Sequence, residues 1–160
     1  MIKIDKPKIE DIDDIRKILE QWTEDAETIK HLQSIVEEIN GHVKFKLHFW
    51  VARGGDNLVG ITGLSDPLPK VIHLAKSDKP AELKILYIDN TYRGKGVGKL
   101  LVEFTEREAI DQGYTELLIR TAERYKETAW GFYDKLGYER VGTISGGNKL
   151  NSMQVFSKLL

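Results

Sequence analysis

Ile2 and Ile4 alternate with Lys3 and Asp5, and Pro7 closes what a period of two predicts to be a short first strand. From Asp11 the period lengthens. Ile12, Ile15, Leu19 and Trp22, with Ile18 beside them, fall on one face of a helix. Thr23, Glu24 and Asp25 interrupt it, and Ile29, Leu32, Val36 and Ile39 predict a second helix that stops near Asn40 and Gly41. Residues 47–53 and 58–64 are strand-like, and the turn composition of Gly54, Gly55, Asp56 and Asn57 joins them as a hairpin. Pro67 and Pro69 break the next segment, with a further extended piece expected over 71–74. In residues 81–88, Leu83, Ile85 and Tyr87 share one face and Lys84, Leu86 and Ile88 the other. So apolar a strand is expected to be covered on both sides. A helix follows to Gly113, with Val97, Leu100, Leu101 and Phe104 on one face, then a strand at 116–120. A helix over 126–136 stops at Gly137, and strands at 138–144 and 152–160 end the chain, separated by a loose loop that begins at Ser145. The order is βααβββαβαββ. This predicts an α/β (α+β) chain with a mixed, mostly antiparallel central sheet flanked by helices, and no repeat or linker divides residues 1–160.

The most informative stretch is the junction after the fourth strand. Asp89, Asn90 and Thr91 break the apolar run, and Gly94, Gly96 and Gly98 follow at every second position before the helix begins. Strand, glycine loop and helix N-terminus together present a row of backbone N–H groups to a phosphate. Arg93, Lys95 and Lys99 add positive charge around the same point. Spacing separates the families that use such loops. A P-loop needs a hydroxyl residue after Gly-Lys, but Leu100 follows Gly98 and Lys99. A dinucleotide fingerprint needs Gly-x-Gly-x-x-Gly, and this chain has Gly-x-Gly-x-Gly.

The loop resembles the pyrophosphate loop of the GCN5-related N-acetyltransferases (the GNAT superfamily), whose pattern is Arg/Gln-x-x-Gly-x-Gly/Ala. Arg93, Gly96 and Gly98 fill it, Gly94 and Lys95 take its variable positions, and Ile88 and Tyr92 fit the family's apolar and aromatic positions upstream. Downstream, the run from Ala129 to Tyr138 resembles the family's second signature, Ala-x-x-x-Tyr-x-Lys-x-Gly-Phe, through Tyr133, Lys135 and Gly137. The resemblance covers about residues 80–142 closely and the N-terminal half only in its order of elements. One departure stands out: where many members carry an asparagine seven residues before the tyrosine, this chain has Lys126.

Composition narrows the function further. A formal net charge of −1 argues against a nucleic-acid surface, and the absence of cysteine removes thiol nucleophiles and thiolate metal sites. The four histidines lack ligand spacing, so no metal is expected. No apolar run reaches membrane-spanning length and no signal-peptide pattern is present, so the expected compartment is the cytoplasm, with no membrane partner.

The resemblance implies acetyl-CoA as cosubstrate, held by the backbone of Arg93, Gly94, Lys95, Gly96, Val97, Gly98 and Lys99 at the pyrophosphate. It also implies pantetheine pairing along Leu86, Tyr87 and Ile88, an Ile88 N–H facing the thioester oxygen, and Lys126 at the cofactor arm. Two side chains are candidates for proton transfer. Glu82, six residues before Ile88, stands where several members carry a general base, and Tyr133 aligns with the tyrosine that protonates the departing thiolate. Without cysteine, direct attack by an amine is favoured over an acyl-enzyme. The acidic residues Glu24, Asp25, Glu27, Glu37 and Glu38 favour a cationic small amine such as a polyamine as acceptor, with a peptide or protein N-terminus second. A non-catalytic acyl-CoA-binding module is the alternative. Exposed edges or final strands that pair between subunits leave a homodimer open.

Overall fold

The computed structural model describes residues 1–145 and 152–160. The strands are β1 (Ile2–Asp5), β2 (His48–Gly54), β3 (Asn57–Ser65), β4 (Pro80–Ile88), β5 (Glu116–Ala122), β6 (Glu139–Ser145) and β7 (Ser152–Leu159). They form one seven-stranded mixed sheet in the order β1-β2-β3-β4-β5-β7-β6. The β1/β2, β2/β3, β5/β7 and β6/β7 pairs are antiparallel, and β4/β5 is parallel. The helices are α1 (Ile12–Glu20), α2 (Asp25–Ile39), α3 (Pro69–Ile72), α4 (Val97–Asp111) and α5 (Gly131–Lys135). The mixed sheet and the order of its elements match the sequence reading. The loop expected from Ser145 lies, from Gly146 on, outside the described residues.

Two expectations need correction. Residues 71–74 are not extended: Pro69 opens the single turn α3, where its fixed φ suits a first helical position and its missing N–H leaves nothing unpaired. Residues 126–136 are not one regular helix. Lys126–Trp130 is a π-turn, preceded by a 3₁₀ turn at Glu123–Tyr125, and only Gly131–Lys135 is α-helical. Gly137 ends it as expected, at φ +88°, with the Tyr138 N–H returning to the Tyr133 carbonyl at 3.1 Å.

Packing divides the chain into two units. The first comprises residues 1–64 and 85–105, the second residues 65–84 and 106–160. In the first, Ile15, Ile18, Leu19, Leu32 and Ile35 of α1 and α2 bury against Phe49, Val51, Ile61 and Ile85. On the other sheet face Ala52 and Val59 pack with Val97 and Leu101 of α4, joined by Leu86, Ile88 and Tyr92. The alternation of β4 therefore sends Ile85 and Tyr87 to the α1–α2 side and Leu86 and Ile88 to the α4 side. In the second unit Val71, Leu118, Ile144 and Val155 form a core cluster. No helix among the described residues is long and apolar enough to cross a membrane.

Two buried carboxylates tie distant segments together. Asp11 receives Arg53 through Nη1 at 2.8 Å and Nη2 at 2.7 Å. Glu116 accepts the N–H groups of Lys76 (2.9 Å) and Ser77 (2.8 Å) and the Ser157 hydroxyl. The bond from Arg53 is the main reason the Asp11 carboxyl sits below its ordinary range. For Glu116 burial pushes the other way, but the bonds from Ser157, Lys76 and Ser77 prevail and lower it. Both carboxyls thus add stability that is complete above the unfolded carboxylate pKa of about 4 and is lost as pH falls through their folded values. Urea midpoints are expected to hold steady from pH 7 to about pH 5 and to drop below about pH 4. Glu116→Gln is expected to lower the pH 7 midpoint and flatten that acid limb; an unchanged limb contradicts the assignment.

Candidate functional site

The first unit holds the strand end, the loop and the start of α4. The β4/β5 ladder registers Pro80 to Leu83 against Glu116 to Ile119 and stops there, while β4 itself continues to Ile88. Asp89 then caps the turn Asn90–Tyr92, accepting the Thr91 N–H at 2.8 Å and its hydroxyl at 2.7 Å. Gly94 at φ +74° and Gly96 at φ +83° take the left-handed conformation that side-chained residues rarely adopt. A Cβ on either would meet nothing within 4 Å, so backbone conformation rather than crowding selects glycine. Gly98 already belongs to α4. The Leu100 N–H reaches the Gly96 carbonyl at 3.1 Å, and the N–H groups at the helix start before it have no intrahelical acceptor. Arg93, Lys95 and Lys99 are exposed around this end, with Lys99 3.8 Å from Glu103 and the Lys95 ammonium 5.1 Å from the Tyr92 ring centre.

The turn that follows α1 clamps this junction. Trp22 donates its indole N–H to the Ile88 carbonyl at 2.9 Å, and the Asn90 N–H donates to Gln21 Oε1 at 2.8 Å. The Arg93 guanidinium lies 5.4 Å from the Trp22 ring centre, close enough for a cation–π contact. These partners are 66 and 69 residues apart, beyond the reach of local pattern, and Trp22 reads from sequence as one more core position. On the α2 side the Tyr87 ring is 6.1 Å from that of His31.

The second unit holds Glu82, Lys126 and Tyr133. Glu82 is 1 % exposed, and both carboxylate oxygens accept from Arg120, each at 3.0 Å. Lys84 lies 3.6 Å away. The expected base is thus a sealed, bidentate ion-pair partner, and sequence reasoning missed Arg120, which comes from a different strand. Tyr133 packs edge-on to Phe132 and Tyr138 and tilted to Phe156, at ring distances of 5.2, 6.1 and 5.4 Å. Among the described residues its hydroxyl makes no hydrogen bond, and burial alone pushes its pKa above the ordinary phenol range. Its neighbour Tyr138 instead commits its hydroxyl to Glu106 at 2.6 Å. Lys126 opens the π-turn with its ammonium 5.8 Å from the Trp130 ring centre.

Among the acidic residues near the α1–α2 hinge, Glu38 is structural: it pairs with Lys6 at 2.8 Å and accepts the Phe49 N–H at 3.1 Å. Asp25 and Glu37 line a groove between α1 and α2. Among the described residues no group of three or more histidine or acidic side chains is placed to hold a metal.

A positive-φ glycine loop that runs from a strand end into a helix start leaves backbone N–H groups open to an anion. Among known proteins, residues 12–138 match the model of the Acetyltransferase (GNAT) family, and the chain belongs to that family. It is 34% identical over 97 residues to human N-acetyltransferase 8B, covering 59% of this chain and 39% of that protein. The chain spans about two-fifths of the length of that relative. A solved GNAT-family structure from Desulfovibrio desulfuricans superposes with a TM-score of 0.84 at 14% identity, covering 99% of each chain. The PaiA N-acetyltransferase of Thermoplasma acidophilum, solved in complex with coenzyme A, gives 0.72 at 19% identity, covering 100% of this chain and 99% of that one. At these identities the two structures show the shared fold.

Removing Arg120 leaves a carboxylate buried without its counterion. Arg120→Ala is expected to cost about 3–5 kcal/mol in urea unfolding at pH 7. A cost under about 1 kcal/mol, the range of an exposed pair, contradicts the burial of this one.

Proposed function

We propose that this chain is an acetyl-CoA-dependent N-acetyltransferase that passes the acetyl group to a primary amine by direct attack. The observation that carries the reading is the loop at Gly94 and Gly96, which turns the end of β4 into the start of α4 with its backbone open to an anion. Arg93, Gly94, Lys95, Gly96, Val97, Gly98 and Lys99 would hold the pyrophosphate through backbone N–H groups, the helix dipole and side-chain charge. Leu86, Tyr87 and Ile88, beyond the last registered β4/β5 pair, would line the pantetheine arm and thioester. Lys126 would meet the cofactor in place of the family asparagine. The cofactor itself supplies an activated acetyl thioester.

Tyr133 suits the proton donor. Burial keeps the phenol protonated at neutral pH, and no partner among the described residues competes for its hydrogen. Glu82 lies in the second unit with both its oxygens engaged by Arg120. That engagement is the one observation favouring a non-catalytic acyl-CoA-binding module; the unengaged Tyr133 phenol favours the enzyme. For the acceptor we favour a small cationic amine such as a polyamine ahead of a peptide N-terminus, because Asp25 and Glu37 line the α1–α2 groove.

Thiol release from acetyl-CoA, measured against polyamines, amino acids, aminoglycosides and short peptides, tests the reading; the cysteine-free chain adds no background. Release with one amine class is expected. Coenzyme A binding without release from any class supports the non-catalytic alternative. Gly96→Asp places a carboxylate in the cradle and is expected to weaken coenzyme A binding by about 100-fold or more, the equivalent of two lost charge-assisted hydrogen bonds, with the circular dichroism spectrum retained. Tyr133→Phe is expected to lower kcat by about 10²-fold with little change in acetyl-CoA affinity. An unchanged kcat, with chemistry shown to limit turnover, removes the acid role.

A further inference from the structure

Acetyl transfer begins with an amine that is protonated at neutral pH, and the group that takes its proton needs a free lone pair. Glu82 is poorly placed for this in the structure, because it is 1% exposed and both of its oxygens are engaged by Arg120. A different pair lies on α2, within the unit that carries the loop. Glu27 and His31 are one helical turn apart, with Glu27 Oε1 3.6 Å from His31 Nε2. That nitrogen is closed off from solvent and, among the described residues, makes no hydrogen bond. A buried polar atom left unpaired costs about 1–3 kcal/mol, so a residue used only for packing has little reason to be histidine here. The ring is not sealed as a whole: the His31 side chain is 18% exposed. It stands 6.1 Å from the ring of Tyr87, at 51°, on the side of β4 opposite α4. Tyr87 is the middle residue of the Leu86, Tyr87 and Ile88 segment assigned above to the thioester.

We propose that His31, oriented by Glu27, is the general base that deprotonates the acceptor amine. The inference rests on the acetyltransferase reading. A carboxylate beside Nε2 favours the tautomer with its proton on that nitrogen and leaves the lone pair on Nδ1, the logic by which an acid orients a catalytic histidine. The acceptor ammonium gives one proton to His31, and Glu27 balances the imidazolium charge. The neutral amine attacks the thioester carbonyl and the C–N bond forms. The C–S bond then breaks, and the thiolate gains a proton as the nitrogen gives up its second one, while His31 returns its proton to solvent. The products are the acetamide, coenzyme A and one proton.

The test uses thiol release with spermidine, and with a pentapeptide bearing a free N-terminus, alongside calorimetry with acetyl-CoA. His31→Ala is expected to lower kcat by about 10²-fold while acetyl-CoA affinity stays within about twofold, and added imidazole to restore a measurable part of the rate. Glu27→Gln, which keeps the helix and the shape, is expected to lower kcat by about tenfold, a loss that imidazole does not repair. A purely structural histidine predicts no imidazole rescue, and that result overturns the proposal, as does an unchanged kcat in His31→Ala. If the wild-type protein turns over neither amine, the acetyltransferase reading itself fails on these acceptors and this inference fails with it. If the wild type is active and Glu82→Gln, not His31→Ala, removes the rate, the reading stands and the base is Glu82.

Discussion

The start of α4 governs the first unit of this structure. A helix begins with N–H groups that its own carbonyls cannot reach, and the chain leaves this one facing an open loop. The loop exists because Gly94 and Gly96 adopt positive φ where nothing crowds them. Its entry is fixed by Asp89 and Thr91, and its flank by Gln21 and Trp22 just beyond α1. Val97 and Leu101 anchor the helix behind it in the core. Rigid surroundings hold a short glycine-rich segment in a shape that an anion can use.

The same turn after α1 has a second consequence. Trp22 and Gln21 immediately precede the acidic hinge that leads into α2, the helix carrying Glu27 and His31. One short stretch therefore contacts the entry to the glycine loop on one side and leads into the helix of the proposed base on the other. Tyr87 completes the set by pointing from β4 toward α2 while its neighbours Leu86 and Ile88 point toward α4. A period of two along one strand separates the face that packs against α1 and α2 from the face that packs against α4.

Much of this was readable in the chain. Period-two alternation placed β4, and the glycines at 94, 96 and 98 marked the loop, because both signals are local. Gly137 announced its helix end for the same reason. Partners distant in sequence could not be read. That Glu82 is engaged by Arg120, 38 residues away, follows from the parallel β4/β5 register, and no spacing rule announces it. Nor does anything in the order of residues reveal that His31 Nε2 lacks a hydrogen-bond partner among the described residues. The helix expected over 126–136 contains a π-turn because apolar spacing marks which face is buried but not how many residues each turn holds.

The central claim is that the loop before α4 is an acyl-CoA pyrophosphate cradle. Calorimetric titration of the protein with coenzyme A, ATP and NAD tests it most directly. The account predicts saturable binding of coenzyme A at one site per chain, with no comparable binding of ATP or NAD. Tight binding of ATP or NAD, with none of coenzyme A, would contradict it.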